Sequence, residues 1–380
     1  MKKQIGGKYS IMRKIALFLS VLVCVFSIAV LAGCNNKKSA EIAVVTDVGQ
    51  LMDGGFNQGT YEGVKQYAEK NNKTYAYYQP ENGANATDND RIAAMELAIE
   101  NGAKVIVAPG FLQATAMETV AKAHEDVKFV FVDGWNMGLA NVTAISYKEQ
   151  ESGFLAGYAA VMDGYTELGG VFGGGGSNPA CNRFCYGFMQ GANAAALAKG
   201  TVVNMKISFK FGSSFSASNE LQAQVATWYS AGTKVVFSCG GSMVNSVIAA
   251  ANETEDGKVI GVDTDQSGLS NRVITSAVKG LTSSVMLVLE QYYAGQWDAK
   301  LADKTSNLGA AEDSTGLPTA TGSWRFTTFT VEQYNEVFNK IKNGTITPVA
   351  ETPADCSAEH AWDVIDLALL GVNLTHEAGK

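Results

Sequence analysis

Eight residues carry the side chains best suited to hold a small molecule, each standing just beyond a short apolar run or at the start of the helix after it. Asp47, Asn57, Asp133 and Asp263 offer hydrogen-bond acceptors, Phe56 and Phe215 offer flat apolar faces, and Gly240 and Gly241 offer bare backbone. Carboxylates suit a neutral ligand rich in hydroxyls, and aromatic faces suit a planar one. Several carboxylates in one place would also repel a phosphate. Structural roles compete with these readings: an Asp after a strand serves equally as a turn or helix-capping residue, and Phe56 reads equally as a hydrophobic staple. Phe215 is the odder case, a large apolar residue in Gly212-Ser213-Ser214-Phe215-Ser216 that needs something to pack on.

The elements that must position them are strands alternating with helices. Short β-branched runs at 41–46, 74–78, 104–108, 128–132, 168–172, 202–211, 234–238 and 258–262 are separated by helical stretches. This alternation predicts α/β architecture with doubly wound parallel sheets. The runs are apolar on both faces, as strands covered by helices on each side should be. The runs also repeat. Asn101-Gly102-Ala103-Lys104-Val105-Ile106-Val107 answers Ala231-Gly232-Thr233-Lys234-Val235-Val236-Phe237, and Lys128 to Asp133 answers Lys258 to Asp263, both at an offset of 130. Phe56-x-x-Gly59-x-x-x-Gly63 answers Phe184-x-x-Gly187-x-x-x-Gly191 at an offset of 128. Three blocks in order at nearly one offset predict two similar Rossmann-like lobes. In such sheets ligands bind beyond the carboxyl ends of the strands, where the eight residues stand.

The start of the chain speaks to compartment. Lys2, Lys3, Lys8, Arg13 and Lys14 precede an unbroken apolar run over 15–32, with no acid among them. A run of about 20 apolar residues can span a bilayer, but Leu31-Ala32-Gly33-Cys34 has the small residues before a cysteine that mark a lipoprotein cleavage site. The expectation is a signal over 1–33, a lipid on Cys34, a tether over 34–40 and an extracytoplasmic mature chain. Without those five basic residues, 24 Lys and Arg face 37 Asp and Glu, and the formal charge moves from −8 to −13. An acidic chain has no electrostatic reason to bind nucleic acid.

Other chemistries find no footing. Cys181, Cys185, Cys239 and Cys356 form no Cys-x-x-Cys pair, and His124, His360 and His376 are widely scattered, so no zinc site is expected. Cys181 and Cys185 read as small buried residues on one helix face, with a disulfide as the alternative. The glycine run 173–176 lacks the Lys-Ser or Lys-Thr of a phosphate loop and the third glycine of a dinucleotide fingerprint. It reads as a tight turn into a helix beginning near Pro179. Neither a nucleophile elbow nor a nucleophile paired with histidine is present, so no catalytic residue, cofactor or enzymatic activity is expected, although paired carboxylates leave acid-base chemistry open.

Several segments together resemble the basic membrane protein family of substrate-binding lipoproteins, which includes purine nucleoside receptors of ABC importers. They are Asp47 with Gly54-Gly55-Phe56-Asn57-Gln58-Gly59-Thr60-Tyr61-Glu62-Gly63, Phe129-Val130-Phe131-Val132-Asp133-Gly134, Glu151-Ser152-Gly153-Phe154-Leu155-Ala156-Gly157-Tyr158, Phe184-x-x-Gly187-Phe188-x-x-Gly191, Gly261-Val262-Asp263-Thr264-Asp265-Gln266 and Thr275-Ser276-Ala277-Val278-Lys279. Gly54-Gly55 stand where the family usually has charged or hydroxyl residues. The resemblance implies a type I periplasmic-binding-protein fold with discontinuous lobes, expected here as 41–145 with 272–325 and 146–271 with 326–380. It implies a purine nucleoside ligand sandwiched by Phe56 and Phe215, with Asp47, Asn57 and Asp133 bonding base or sugar edges. Gly240 or Gly241 would admit the ligand by close backbone approach, and Asp263 with Lys279, expected at a helix start, would hold the ribose hydroxyls. It further implies permease partners and a membrane held through the lipid anchor. A receptor for a sugar or signalling compound and an extracytoplasmic enzyme acting on nucleosides are the alternatives.

Overall fold

The structure, a computed structural model, describes residues 40–212, 214–350 and 369–377. The expected signal, Cys34, all of the tether but Ala40, and Cys356 lie outside the described residues.

The first lobe begins with β1 (Ile42–Val45), α1 (Phe56–Lys70), β2 (Tyr75–Tyr78), α2 (Asp88–Glu100), β3 (Val105–Pro109), α3 (Ala114–Ala123), β4 (Lys128–Val132) and β5 (Val142–Tyr147). The chain then crosses to build α4 (Glu149–Met162), β6 (Glu167–Phe172), α5 (Pro179–Lys199), β7 (Val203–Ser208), α6 (Asn219–Ser230), β8 (Val235–Cys239), α7 (Met243–Asn252), β9 (Lys258–Asp263) and β10 (Val273–Lys279). It returns through α8 (Leu281–Tyr293) and β11 (Lys304–Leu308), then crosses again to β12 (Thr315–Gly316), α9 (Val331–Lys342) and β13 (Val372–Glu377).

The duplication is explicit in the strand order. The first sheet runs β11-β5-β4-β3-β1-β2 and the second β12-β10-β9-β8-β6-β7-β13, so β1 to β5 and β6 to β10 repeat one winding. All pairings are parallel except that of β12 with β10. β1, β3 and β8 are buried along their whole length, which is why they read as continuous apolar runs rather than alternating ones.

The repeated Phe-x-x-Gly-x-x-x-Gly motif does the same work in each lobe. On α5, a Cβ at Gly187 or Gly191 would strike the carbonyl oxygens of Gln150 or Phe154 on α4, and a Cβ at Gly153 or Gly157 of α4 would strike those of Phe184 or Phe188. On α1, a Cβ at Gly63 would lie 2.8 Å from the Thr282 carbonyl of α8. Each glycine stripe thus seats a helix that arrives from a crossing, at backbone contact.

The expected lobe boundaries require one correction. Residues 273–279 pair with β9 in the second sheet, and only 281–308 of the expected 272–325 insertion joins the first lobe, because β5 already fills the matching place there. Residues 309–325 return to the second lobe, where β12 pairs with β10. The crossings run side by side: Lys148 N–H donates to Leu308 O at 2.9 Å and Gly280 N–H to Ser314 O at 2.8 Å. The Ala, Thr, Ser and Gly-rich stretch 298–321 therefore supplies an edge strand and a crossing between the sheets. Cys181 and Cys185 lie buried on α5 and are not bridged to each other.

Candidate ligand-binding site

All nine residues singled out from the sequence, Asp47, Phe56, Asn57, Asp133, Phe215, Gly240, Gly241, Asp263 and Lys279, line one cleft at the carboxyl ends of the two sheets. Its volume is about 640 Å³ counting the space open to solvent. Phe56 enters from the first lobe at the head of α1, and Phe215 from the second lobe.

Phe215 stands in a glycine seat. Its own φ is +55°, and its carbonyl accepts from Ser242 N–H at 3.1 Å. A Cβ at Gly173 would overlap the Phe215 ring, and one at Gly240 would come within 3.2 Å of it. Gly240 and Gly241 have φ of +149° and +42°, angles that L side chains rarely adopt. These glycines therefore support the ring as well as lining the cleft.

Asp47 and Asp263 are buried, and Asp133 is mostly so. Asp133 directly follows β4 and Asp263 ends β9, in equivalent positions of the repeat, at φ +56° and +67°. Lys279 is the last residue of β10, not the start of a helix as the sequence suggested. Its Nζ lies 2.5 Å from Asp133 Oδ2, 3.5 Å from Asp263 Oδ1 and 3.6 Å from Glu149 Oε1. It also stands 4.7 Å from the centroid of the Phe56 ring. Burial alone would lower the Lys279 pKa, but Asp133, Asp263 and Glu149 together hold it well above the ordinary lysine value. Burial pushes Asp133 up to about 6 against the pull of Lys279, with Glu149 and Asp263 adding to the rise. Burial likewise raises Asp47 and Asp263. Among the described residues, the buried acceptors Asn57 Oδ1 and Asp133 Oδ1 find no hydrogen-bond partner. Buried polar atoms are ordinarily bonded, so this cleft is built to receive donors.

Some contributors escaped the sequence reading. Asp53 lines the cleft and accepts from the N–H groups of Gly55, Asn57 and Gln58 at 2.8, 3.1 and 3.2 Å, fixing the head of α1. Its place three residues before the helix was the usable signal. Glu149 gave none, being an ordinary acid in a first helical turn, and Phe184 gave one only as the counterpart of Phe56 in the repeat. The Gly54-Gly55 turn proves to be a clasp: Gly54 O accepts from Thr264 Oγ1 and Gln266 Nε2 of the opposite lobe, each at 3.0 Å.

Among the described residues no group of His, Cys, Asp and Glu is arranged to hold a metal ion, and no helix is long and apolar enough to cross a membrane.

The family model described as ABC transporter substrate-binding protein, PnrA-like, matches residues 40–351. This chain belongs to that family. The PnrA-like match spans both lobes and the whole cleft lining. Among curated relatives, the ABC transporter nucleoside-binding protein BmpA of Lactococcus lactis subsp. cremoris is 29% identical over 306 residues, covering 75% of this chain and 83% of that protein. Basic membrane protein D of Borreliella burgdorferi is 26% identical over 302 residues, covering 78% and 84%. Of solved structures, an ABC transporter solute-binding protein from Aeropyrum pernix K1 superposes with a TM-score of 0.71 at 20% identity, over 87% of this chain and 99% of that one. At that identity the likeness speaks for the fold alone. PnrA-like proteins serve ABC transporters by binding their substrates, and this chain is such a substrate-binding protein.

Proposed function

We propose that this PnrA-like protein captures a nucleoside, a purine nucleoside foremost, outside the cytoplasm and delivers it to the permease subunits of an ABC importer, while held to the membrane by a lipid on Cys34. It performs no catalysis in this reading. The observation that carries it is the composition of the cleft: one phenylalanine from each lobe for a planar base, beside a buried Lys279, Asp133 and Asp263 cluster for hydroxyls. The nucleoside-binding relative supports the same ligand class. The acidic lining disfavours a nucleotide's phosphate.

Calorimetric titration of the mature domain with adenosine, guanosine, inosine, cytidine, adenine, AMP and ribose tests the ligand. Nucleosides should bind far better than bases or nucleotides, because a site that bonds hydroxyls is left with unpaired buried charges when the sugar is missing. Phe56→Ala and Phe215→Ala should each weaken binding by about 1–3 kcal/mol, the range for base stacking. Asp263→Ala should reduce the preference for adenosine over adenine, and an unchanged ratio would remove Asp263 from ribose recognition. For the anchor, palmitate labelling should disappear in Cys34→Ser, and retained label would count against it.

A further inference from the structure

Behind the cleft lies an ion pair that touches no part of its surface. Glu149, the first residue of α4, is 0% exposed. Its Oε2 accepts from Arg183 Nε of α5 at 2.6 Å, and among the described residues its Oε1 has no hydrogen-bond donor and faces the Lys279 ammonium at 3.6 Å. The backbone contact of α4 with α5, made possible by Gly153, Gly157, Gly187 and Gly191, brings these two side chains together. A wholly buried carboxylate costs several kcal/mol unless compensated, so a structural role alone would be met more cheaply by an apolar pair. Glu149 is instead pointed at the one ammonium of the cleft.

We infer that Glu149 and Arg183 are a positioning pair, which holds Lys279 in place from the rear and sets the charge of the Lys279 and Asp133 couple that faces the ligand. The chain of contacts runs Asp133, Lys279, Glu149, Arg183, with alternating sign. Among the described residues, the charged or titratable groups facing the couple are Asp263 from the end of β9, Glu149 from α4, Tyr147 from β5 with its ring 5.4 Å from Lys279, Cys239 from the end of β8, and Arg183 beyond Glu149, with Asp53 acting on Asp263 from the head of α1. Three carboxylates around one ammonium leave excess negative charge, and Arg183 offsets one of them. Lys279 can then stay fixed while Asp133 remains available as an acceptor.

The role in ligand capture rests on the nucleoside reading, but the charge-setting role does not. Carbon-13 NMR titration of the Asp133 carboxyl in ligand-free protein reads it directly, with the parent midpoint expected at about 6. Glu149→Gln removes a negative neighbour, so the midpoint should fall. Arg183→Met removes a positive one, so it should rise, and Arg183→Lys should bring it back toward the parent. Should Arg183→Met fail to fold, the double variant Glu149→Gln with Arg183→Met, which leaves neither member of the pair charged, should fold and titrate above Glu149→Gln alone, back toward the parent. In parallel, Glu149→Gln should weaken adenosine by about tenfold, on the order of one lost charge-assisted hydrogen bond, and leave adenine within about twofold. Midpoints that do not move in either direction overturn the inference, as does an equal loss of adenosine and adenine. If the parent binds no nucleoside at all, the nucleoside reading fails and the midpoints still decide the role of the pair.

Discussion

The carbonyl oxygen of Gly54 in the first lobe accepts a hydrogen bond from Gln266 Nε2 in the second at 3.0 Å, so one backbone atom ties the lobes across the mouth of the cleft. Thr264 Oγ1 shares the same acceptor. Gln266 is itself fixed, because its Oε1 accepts from Val262 N–H at 2.9 Å and its own N–H donates to Ser276 Oγ at 3.0 Å. The clasp is rigid on the second lobe and pivots on a glycine with φ +71° in the first.

A bond that exists only when the lobes are together favours the closed arrangement by its own net worth. Thr264→Val keeps the shape and removes one donor, and should lower ligand affinity by about 0.5–1.5 kcal/mol. The loss should fall mainly on the dissociation rate in stopped-flow measurements. Unchanged dissociation would mean that the clasp does not hold the ligand.

Gly173 has an ordinary φ of −74°, so Gly173→Ala brings no backbone strain, but its methyl must displace the Phe215 ring. Binding should fall by about as much as stacking contributes, roughly 1–3 kcal/mol. In a Phe215→Ala background the same change should cost almost nothing, because the collision is gone. Additive losses in that cycle would place the effect elsewhere.

Asp133 titrates near 6 in the folded protein, above the ordinary value of 3.8. Its carboxylate is the acceptor form, so nucleoside affinity should decline as pH falls through about 6 and level off well above it. Stability carries the opposite sign for this group: a raised carboxyl contributes to folding below the unfolded value and loses that contribution as pH rises through the folded one. Calorimetry from pH 4.5 to 8 on parent and Asp133→Asn checks the binding limb, which should flatten in the variant.

His376, on edge strand β13, packs edge-on to Phe209 at 6.1 Å, and burial lowers its pKa from 6.5 to about 4. A depressed histidine contributes stability above its unfolded value and loses it as pH falls through the folded one. Amide exchange along β13 should therefore accelerate, relative to β8, between about pH 6.5 and pH 4. His376→Phe should abolish that difference, and a pH-independent ratio in the parent would contradict the assignment.

Much of the architecture was decided in the chain itself. Strands buried on both faces must be continuous apolar runs, so β1, β3, β4, β8 and β9 stand out, and the repeat offset of 128 to 130 pairs the lobes before any coordinates are known. Because open parallel sheets bind at their carboxyl ends, strand ends alone picked out Asp47, Asp133, Asp263, Gly240 and Gly241, and helix starts picked out Phe56 and Asn57. Edge and mixed strands were not legible: β13 alternates exposure as Val-Asn-Leu-Thr-His-Glu, and β10 carries Thr and Ser in its interior. Only the tertiary structure decided that β10 belongs to the second sheet, and with it that Lys279 projects among Asp133, Asp263 and Glu149. Residues 130 or more positions apart meet through helix packing and chain crossings. Local sequence constrains the conformation of each segment, but which distant charges end up within 4 Å is settled by how the glycine-lined helices seat against one another.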